Sequence, residues 1–159
     1  MKVYFASDHA GFEMKKSLLE FVKGLGFEVE DCGAYELNQE DDYPGFIKKA
    51  AQAVSEAASA SVSAKATADE ARAIVLGSSG QGEDMVADKF PNVRSAEYYG
   101  GNLEIIKLSR EHNDANILSL GAKFLSIEEA EEAVKLWLET PFSGEERHVR
   151  RIKEINELT

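Results

Sequence analysis

The sequence has little of several features that define other classes of protein. It has one cysteine in 159 residues, which excludes an intrachain disulfide, and no Cys/His spacing is typical of a structural zinc site. No uninterrupted apolar run approaches the roughly 20 residues that a membrane-spanning helix needs. Basic residues are also scarce, since 18 Lys and Arg stand against 29 Asp and Glu, a net charge of −11. This balance argues against a general nucleic-acid binder, whose affinity depends on basic side chains.

The composition is that of a globular protein. Hydrophobic residues make up 43% of the chain, and its length is that of one domain. The first apolar stretch is followed at once by Asp8 and His9, so it is too short and too soon interrupted by charge for a signal peptide. We therefore expect a single domain over residues 1–159, in the cytoplasm, with no membrane and no nucleic acid as partner.

Apolar patterning predicts strands that alternate with helices about five times. The predicted strands cover 3–6, 27–31, 73–76, 93–96 and 116–120. The predicted helices cover 12–25, 44–54, a short stretch through 85–87, 102–110, 127–138 and 145–158. Most strands are short apolar runs, a pattern that indicates a parallel sheet with helices on both faces. The expected fold is therefore a single-domain, Rossmann-like three-layer α/β sandwich with a five-stranded parallel sheet.

Details of this pattern assign residues to core or surface. In helix 12–25, Lys15 is expected on the solvent side, opposite Leu18 and Val22. Cys32, Trp137 and the methionines are assigned to packing. Residues 57–70 are rich in Ala and Ser, and we interpret them as an inserted, exposed extension of the preceding helix, helical or mobile.

In a parallel sheet of this kind, ligands bind beyond the carboxyl ends of the strands. That rule directs attention to the loops 7–11, 32–44, 77–84, 97–101 and 120–124. The loop 78–82 (Ser-Ser-Gly-Gln-Gly) lies between a buried strand and a helix, where backbone N–H groups can bind an anion. It lacks the Walker and dinucleotide patterns, and a tight turn without a ligand is the alternative.

Four polar groups near these loops have a chemical and a plain structural interpretation. Glu83 is a possible base next to backbone N–H groups that can stabilise an oxyanion. The alternative is an acid in the first turn of a helix, where the helix dipole favours it. Asp8 and His9 face a crevice, or are a helix cap and a surface histidine. His112 is a possible proton carrier, or a solvated loop residue between helix and strand.

The fourth group is basic. Arg147 and Arg151 are four residues apart on one helix face, a geometry that suits phosphate. The alternative is salt bridging with nearby glutamates on an exposed helix, such as Glu145.

Taken in order, these pieces resemble type B ribose-5-phosphate isomerase, a family that includes the galactose-6-phosphate isomerase subunits. The resemblance rests on five motifs that span nearly the whole chain apart from 57–70. They are Ser-Asp-His-Ala-Gly-Phe at 7–12, Asp-Tyr-Pro at 42–44, Gly-x-Gly at 80–82, Arg-Glu-His-Asn-Asp-Ala-Asn at 110–116 and Arg-His-x-x-Arg at 147–151. One version of the family places a catalytic Cys where this chain has Gly77. The other has a Glu directly after the loop, which Glu83 matches.

The resemblance implies an aldose–ketose isomerisation through a cis-enediolate, most simply of ribose 5-phosphate to ribulose 5-phosphate, with no metal and no organic cofactor. It makes Glu83 the base and gives His112 the opening of the sugar ring. Asp8 would assist at the sugar hydroxyls, and the Ser79 hydroxyl would stabilise the enediolate. The substrate-binding residues that it implies are His9, Tyr43, Gly80, Gln81, Gly82, Asn113, Lys123, Arg147 and Arg151.

The resemblance also implies an assembly. The family works as a homodimer or a dimer of dimers, with the active site at the subunit interface. Helix 145–158 would then pack on a neighbouring subunit, and its arginines need not serve the loop of their own chain.

Three departures from the family pattern and an atypical loop over 97–101 leave the substrate open, and the added Ala/Ser segment is one of the three. Lys123 stands where the family usually has Arg, which keeps the charge but loses the guanidinium fork. Asp88 stands where Asn is usual. A six-carbon aldose 6-phosphate of the allose or galactose type is therefore an alternative substrate. A non-catalytic sugar-phosphate sensor and a flavodoxin-like nucleotide binder are alternatives of other classes.

Overall fold

The computed structural model describes residues 1–64 and 71–158, in which strands and helices alternate. The strands are β1 (Lys2–Ser7), β2 (Glu28–Asp31), β3 (Ala71–Gly77), β4 (Ser95–Tyr98) and β5 (Ile117–Gly121). The helices are α1 (Phe12–Gly24), α2 (Tyr43–Ala64), α3 (Gln81–Ala87), α4 (Glu104–Asn113), α5 (Ile127–Glu139) and α6 (Glu146–Asn156). The predicted alternation is confirmed.

The five strands form one sheet in the order β2-β1-β3-β5-β4, and every neighbouring pair is parallel. The central strand β3 is buried along all seven residues, as expected for a sheet covered on both faces. All five strands end at the same side of the sheet, which we call the carboxyl edge. The opposite side, where they begin, is the amino edge.

Two apolar layers flank the sheet and confirm the predicted sandwich. Ile74 and Leu76 of β3 pack in one layer, with Trp137 of α5 fully buried among them. Val75 points the other way and packs with Ile47 of α2. Alternate residues of one strand thus contribute to opposite layers, which follows from the two-residue period of a strand.

Two predicted boundaries near the amino edge are wrong by a few residues. Strand β4 begins at Ser95, two residues late, because Val93 is held in a turn by Phe90 and the Arg94 N–H donates to the side chain of Asn116. Helix α4 continues to Asn113 instead of ending at 110, and it stops where Asp114 adopts a left-handed backbone.

Two side-chain assignments also need correction. Lys15 is buried, not on the solvent side, and its Nζ donates to Asp31 Oδ1 at 2.6 Å and to the Ala34 carbonyl at 2.7 Å. The paired carboxylate is what allows an ammonium group to be buried there. Met85 on α3 and Met1 are 66% and 41% exposed, so neither is a packing residue, whereas Cys32 is buried as predicted.

The Ala/Ser segment is only partly within the described residues. Helix α2 continues through it to Ala64, which agrees with the helical interpretation up to that residue. The predicted extension over 65–70 lies outside the described residues. Within 1–64 and 71–158, no helix is both long and apolar enough to cross a membrane.

Candidate active site

Glu83 lies at the carboxyl edge with its carboxyl group against the end of β3. It is the third residue of α3, and only 4% of the residue is exposed. A Cβ atom added to Gly77 would overlap the Glu83 carboxyl group. The missing side chain at 77 therefore creates the space that this carboxyl group fills.

The environment of Glu83 favours its neutral form more than water would. Burial is the main cause that raises the pKa of the Glu83 carboxyl group, and the negative charges of Asp8 and Glu97 raise it further. The backbone N–H of Glu83 itself opposes this shift. A buried carboxyl group with a raised pKa is suited to accept and return a proton near neutral pH.

The glycine-rich loop is held against the end of β5. Gly80 has a left-handed backbone (φ 86°), and the Ser119 hydroxyl donates to its carbonyl at 2.6 Å. The Lys123 N–H donates to the Ser78 carbonyl at 3.0 Å, which puts Lys123 beside the same loop. Ser79 is half-buried, and its Oγ accepts the N–H of Gln81 at 3.3 Å. The loop is therefore a fixed backbone segment directly next to Glu83.

Asp8 and His9 extend this edge beyond the end of β1. Asp8 is 8% exposed, and its Oδ1 accepts the N–H groups of Ala10 at 2.9 Å and Gly11 at 3.4 Å. Its other oxygen lies 3.9 Å from Nδ1 of His9. Asp8 thus stabilises its own turn with one oxygen and faces His9 with the other.

The loop between β2 and α2 closes over the same edge. Tyr43 begins α2, and its ring lies against Gly82, since a Cβ added there would come within 2.6 Å of the ring. Asp41 binds His9 through a 2.7 Å contact between Oδ1 and Nδ1. Nine predicted residues therefore lie at the carboxyl edge: Asp8, His9, Tyr43, Ser79, Gly80, Gln81, Gly82, Glu83 and Lys123.

His112 and Asn113 lie at the other side of the sheet. They end α4, a helix of ten residues that runs from the carboxyl edge to the amino edge, a rise of about 15 Å. The Asn113 carbonyl accepts from Arg94, the residue before β4, which places Asn113 at the amino edge. A cavity of about 370 Å³ opens there, lined by Asn113 and by Ile155 and Leu158 from the end of the chain.

Arg147 and Arg151 lie at the amino edge with His112 and not at the carboxyl edge with Glu83. His148, between them on α6, packs against the His112 ring, with the centroids 4.3 Å apart and the ring planes tilted by 40°. Arg147 and Arg151 are exposed, and Arg147 pairs with Glu145 at 2.8 Å, the salt bridge of the alternative interpretation. In one chain, the predicted phosphate-binding cations are therefore divided between the two edges instead of being gathered together.

Comparisons with known proteins show the family of this chain. A family model described as Ribose/Galactose Isomerase matches residues 3–155. The chain belongs to the ribose/galactose isomerase family. Ribose-5-phosphate isomerase B from Mycolicibacterium paratuberculosis is 37% identical over 153 residues, which cover 96% of this chain and 87% of the relative.

Solved structures of this isomerase family agree. Ribose-5-phosphate isomerase B from Mycoplasma genitalium with bound ribulose 5-phosphate has a TM-score of 0.87 at 30% identity, covering 99% of this chain and 95% of the other. The protein of the same name from Thermotoga maritima has a TM-score of 0.81 at 36% identity, covering 98% and 97%. The family expected from the motifs is thus confirmed.

Three residues of this isomerase's site region were missed in the sequence. Asp41 contacts the His9 ring, His148 packs against His112, and Glu97 of β4 adds negative charge near Glu83. His148 carried a signal in its position between two candidate arginines, and Asp41 and Glu97 lie in the strand-end loops 32–44 and 97–101 without any sign of their partners. The others come from separate segments that meet only in the folded sheet.

Proposed function

We propose that this chain interconverts ribose 5-phosphate and ribulose 5-phosphate. The observation that carries the proposal is the buried Glu83 carboxyl group beside a fixed loop of backbone N–H groups, in a chain of the ribose/galactose isomerase family. Aldose–ketose isomerisation needs both elements: a base that moves a proton between C2 and C1, and donors that stabilise the enediolate oxygen.

In the proposed mechanism, Glu83 takes the proton from C2 of the open-chain aldose and returns it to C1, while the proton of the C2 hydroxyl passes to the oxygen on C1. The N–H groups of residues 79–83 and the Ser79 hydroxyl stabilise the negative charge that develops on the substrate oxygen. Asp8 binds sugar hydroxyls near the reacting carbons, and Tyr43 forms a wall of the pocket. Each step uses only side chains and backbone groups.

The remaining functions fall to the residues at the amino edge, supplied by a second subunit. His112 would open the sugar ring, Asn113 would bind the sugar, and Arg147 and Arg151 would join His9 and Lys123 at the phosphate. The separation of the two groups within one chain supports a homodimer or dimer of dimers with shared sites. The exposed apolar residues of α6, Val149 and Ile155, support its packing on the neighbouring subunit.

A panel of aldose phosphates tests the substrate. With one preparation, we expect ribose 5-phosphate to give a kcat/KM at least about tenfold higher than allose 6-phosphate or galactose 6-phosphate, because a pocket that fits five carbons must distort for six. Ketose formation measured for each sugar decides the order. A hexose phosphate preferred tenfold would replace the ribose assignment. Binding without deuterium exchange at C2 would indicate a sensor.

Adding a side chain at Gly77 should displace the base. We expect Gly77→Ala to lower kcat by about a hundredfold, because the new methyl group takes the space of the Glu83 carboxyl group. Overpacking should also lower the free energy of unfolding by about 1–3 kcal/mol, measured by urea denaturation.

Gly45→Ala is the matched control for this variant. Gly45 lies in α2, and an added Cβ there meets nothing within 4 Å. We expect unchanged kcat and slightly higher stability, since alanine is the better helix former. Full activity in Gly77→Ala would show that the Glu83 carboxyl group does not act from its observed position.

A further inference from the structure

The carboxyl edge is rich in carboxylates, although the proposed substrate carries a phosphate. Asp8, Asp41 and Glu83 all lie there, in a chain of net charge −11. His9 lies among them with 30% of its side chain exposed. Whether the His9 ring is charged therefore determines whether this edge attracts or repels an anion.

Asp41 contacts His9 at two points. Its Oδ1 accepts the backbone N–H of His9 at 3.0 Å and lies 2.7 Å from Nδ1 of the ring. The Asp41 side chain is only 8% exposed, and its second oxygen is buried without a hydrogen-bond partner among the described residues. The backbone contact fixes the position of His9, and the ring contact fixes which nitrogen carries a proton towards Asp41.

That tautomer determines what the other ring nitrogen can do. If Nδ1 donates its proton to Asp41, a neutral ring leaves Nε2 as an acceptor, which cannot donate to a phosphate oxygen. Only the protonated ring has a second donor at Nε2. The charge on His9 therefore adds a hydrogen bond as well as Coulomb attraction.

We propose that Asp41 is a positioning residue that keeps His9 protonated at neutral pH, so that Nε2–H donates to the substrate phosphate. The inference rests on the proposed function, which assigns the phosphate to His9. It explains how a carboxylate-rich edge binds an anion: one buried carboxylate holds a cation that faces outward.

The direction of the His9 pKa agrees with this geometry. The hydrogen bond to Asp41 is the largest cause that raises the pKa of the His9 ring, burial opposes it, and the charges of Asp8 and Glu40 add to it. Asp8 belongs to the same turn, and Asp41 and Glu40 lie in the loop between β2 and α2. Because the pKa of His9 is raised, the contribution of His9 to phosphate binding is fully present below that pKa. This contribution is lost as pH rises through it.

Kinetics of Asp41→Asn test the proposal. At pH 7.5 we expect KM for ribose 5-phosphate to rise roughly tenfold with kcat nearly unchanged, because a charge-assisted donor is lost from binding. The pH at which KM begins to rise should move down, because the hydrogen bond that raises the pKa of His9 is weakened. An equal increase of KM at every pH would mean a structural effect only and would overturn the proposal.

Glu40→Gln is the matched control. It removes the same charge from the same loop without removing a hydrogen bond to His9, and we expect KM to change less than about twofold. In a His9→Gln background, Asp41→Asn should have little further effect on KM. A full additional loss in that background would show that Asp41 acts through something other than His9.

NMR titration of the histidine rings separates this inference from the proposed function. The chain has three histidines, and His9→Gln identifies the His9 signal. We expect the pKa of His9 to fall in Asp41→Asn while that of His148, at the other edge, does not change. This readout needs no catalysis, so an inactive protein could still confirm it. An unchanged His9 titration in a folded variant would overturn it.

Discussion

Glu83→Gln should lower kcat for ribose 5-phosphate by about a thousandfold, with a much smaller change in KM. The amide has nearly the shape of the carboxyl group and still fits the space beside Gly77. It cannot accept the C2 proton, so the loss falls on the chemical step and not on binding. Ketose formation and deuterium exchange at C2 should fall together.

The pH dependence of the unmodified enzyme follows from the same residue. Glu83 must be ionised to act as a base, and its pKa is raised above the ordinary value of 4.5. We therefore expect kcat/KM to fall as pH drops through that raised pKa, with the acid limb above pH 4.5. The residual activity of Glu83→Gln should not show this fall of kcat/KM at low pH.

Asp84→Asn provides the control for Glu83→Gln. Asp84 is the next residue of the same helix turn, and its substitution removes one negative charge without touching the proposed base. We expect its kcat to stay within about threefold of the unmodified enzyme, as for a charge change outside the reacting groups. Near-normal kcat in Glu83→Gln would contradict the assignment of the base.

Two inactive variants should restore activity to each other when they form hybrid dimers. Glu83→Gln is altered at the carboxyl edge, in α3, and His112→Asn at the amino edge, at the end of α4, a helix about 15 Å long. If each site combines one edge of one subunit with the other edge of its partner, a hybrid dimer has one intact site. Random mixing should then recover about a quarter of the normal activity per mass of protein.

A second pair of variants gives the matched control. Glu83→Gln and Asp8→Asn are both altered at the carboxyl edge, so each site of their hybrid keeps one defect. We expect no recovery from that pair. Mass spectrometry of the mixtures confirms that hybrids have formed. Hybrids of Glu83→Gln with His112→Asn that stay inactive would show that the sites are not shared in this way.

Sequence patterns located most elements because local periodicity governs them. The buried runs around Ile74 and Leu118 and the amphipathic helix that contains Trp137 are all where the pattern predicts them. The errors occur where distant residues determine the boundary. Strand β4 begins late because Asn116, more than twenty residues away, binds the backbone at Arg94.

Burial of charge was the least predictable property. Helical spacing places Lys15 on the polar side of α1, yet its ammonium group is buried against Asp31 and a carbonyl. Nothing local to α1 indicates a carboxylate at the end of β2. The same holds for Asp41 and His9, which are 32 residues apart and meet only when two loops lie side by side.

The scarcity of basic residues in this sequence argued against a general nucleic-acid binder. The order of its motifs determined the family, and its hydrophobic periods determined a parallel α/β sandwich. Only the tertiary structure decided that Gly77 creates the space for Glu83, that a carboxylate holds His9, and that the two arginines lie at the other edge from both. The reason is physical. Periodicity depends on neighbours along the chain, whereas charge pairing, close approach and separation across a sheet depend on segments that folding brings together.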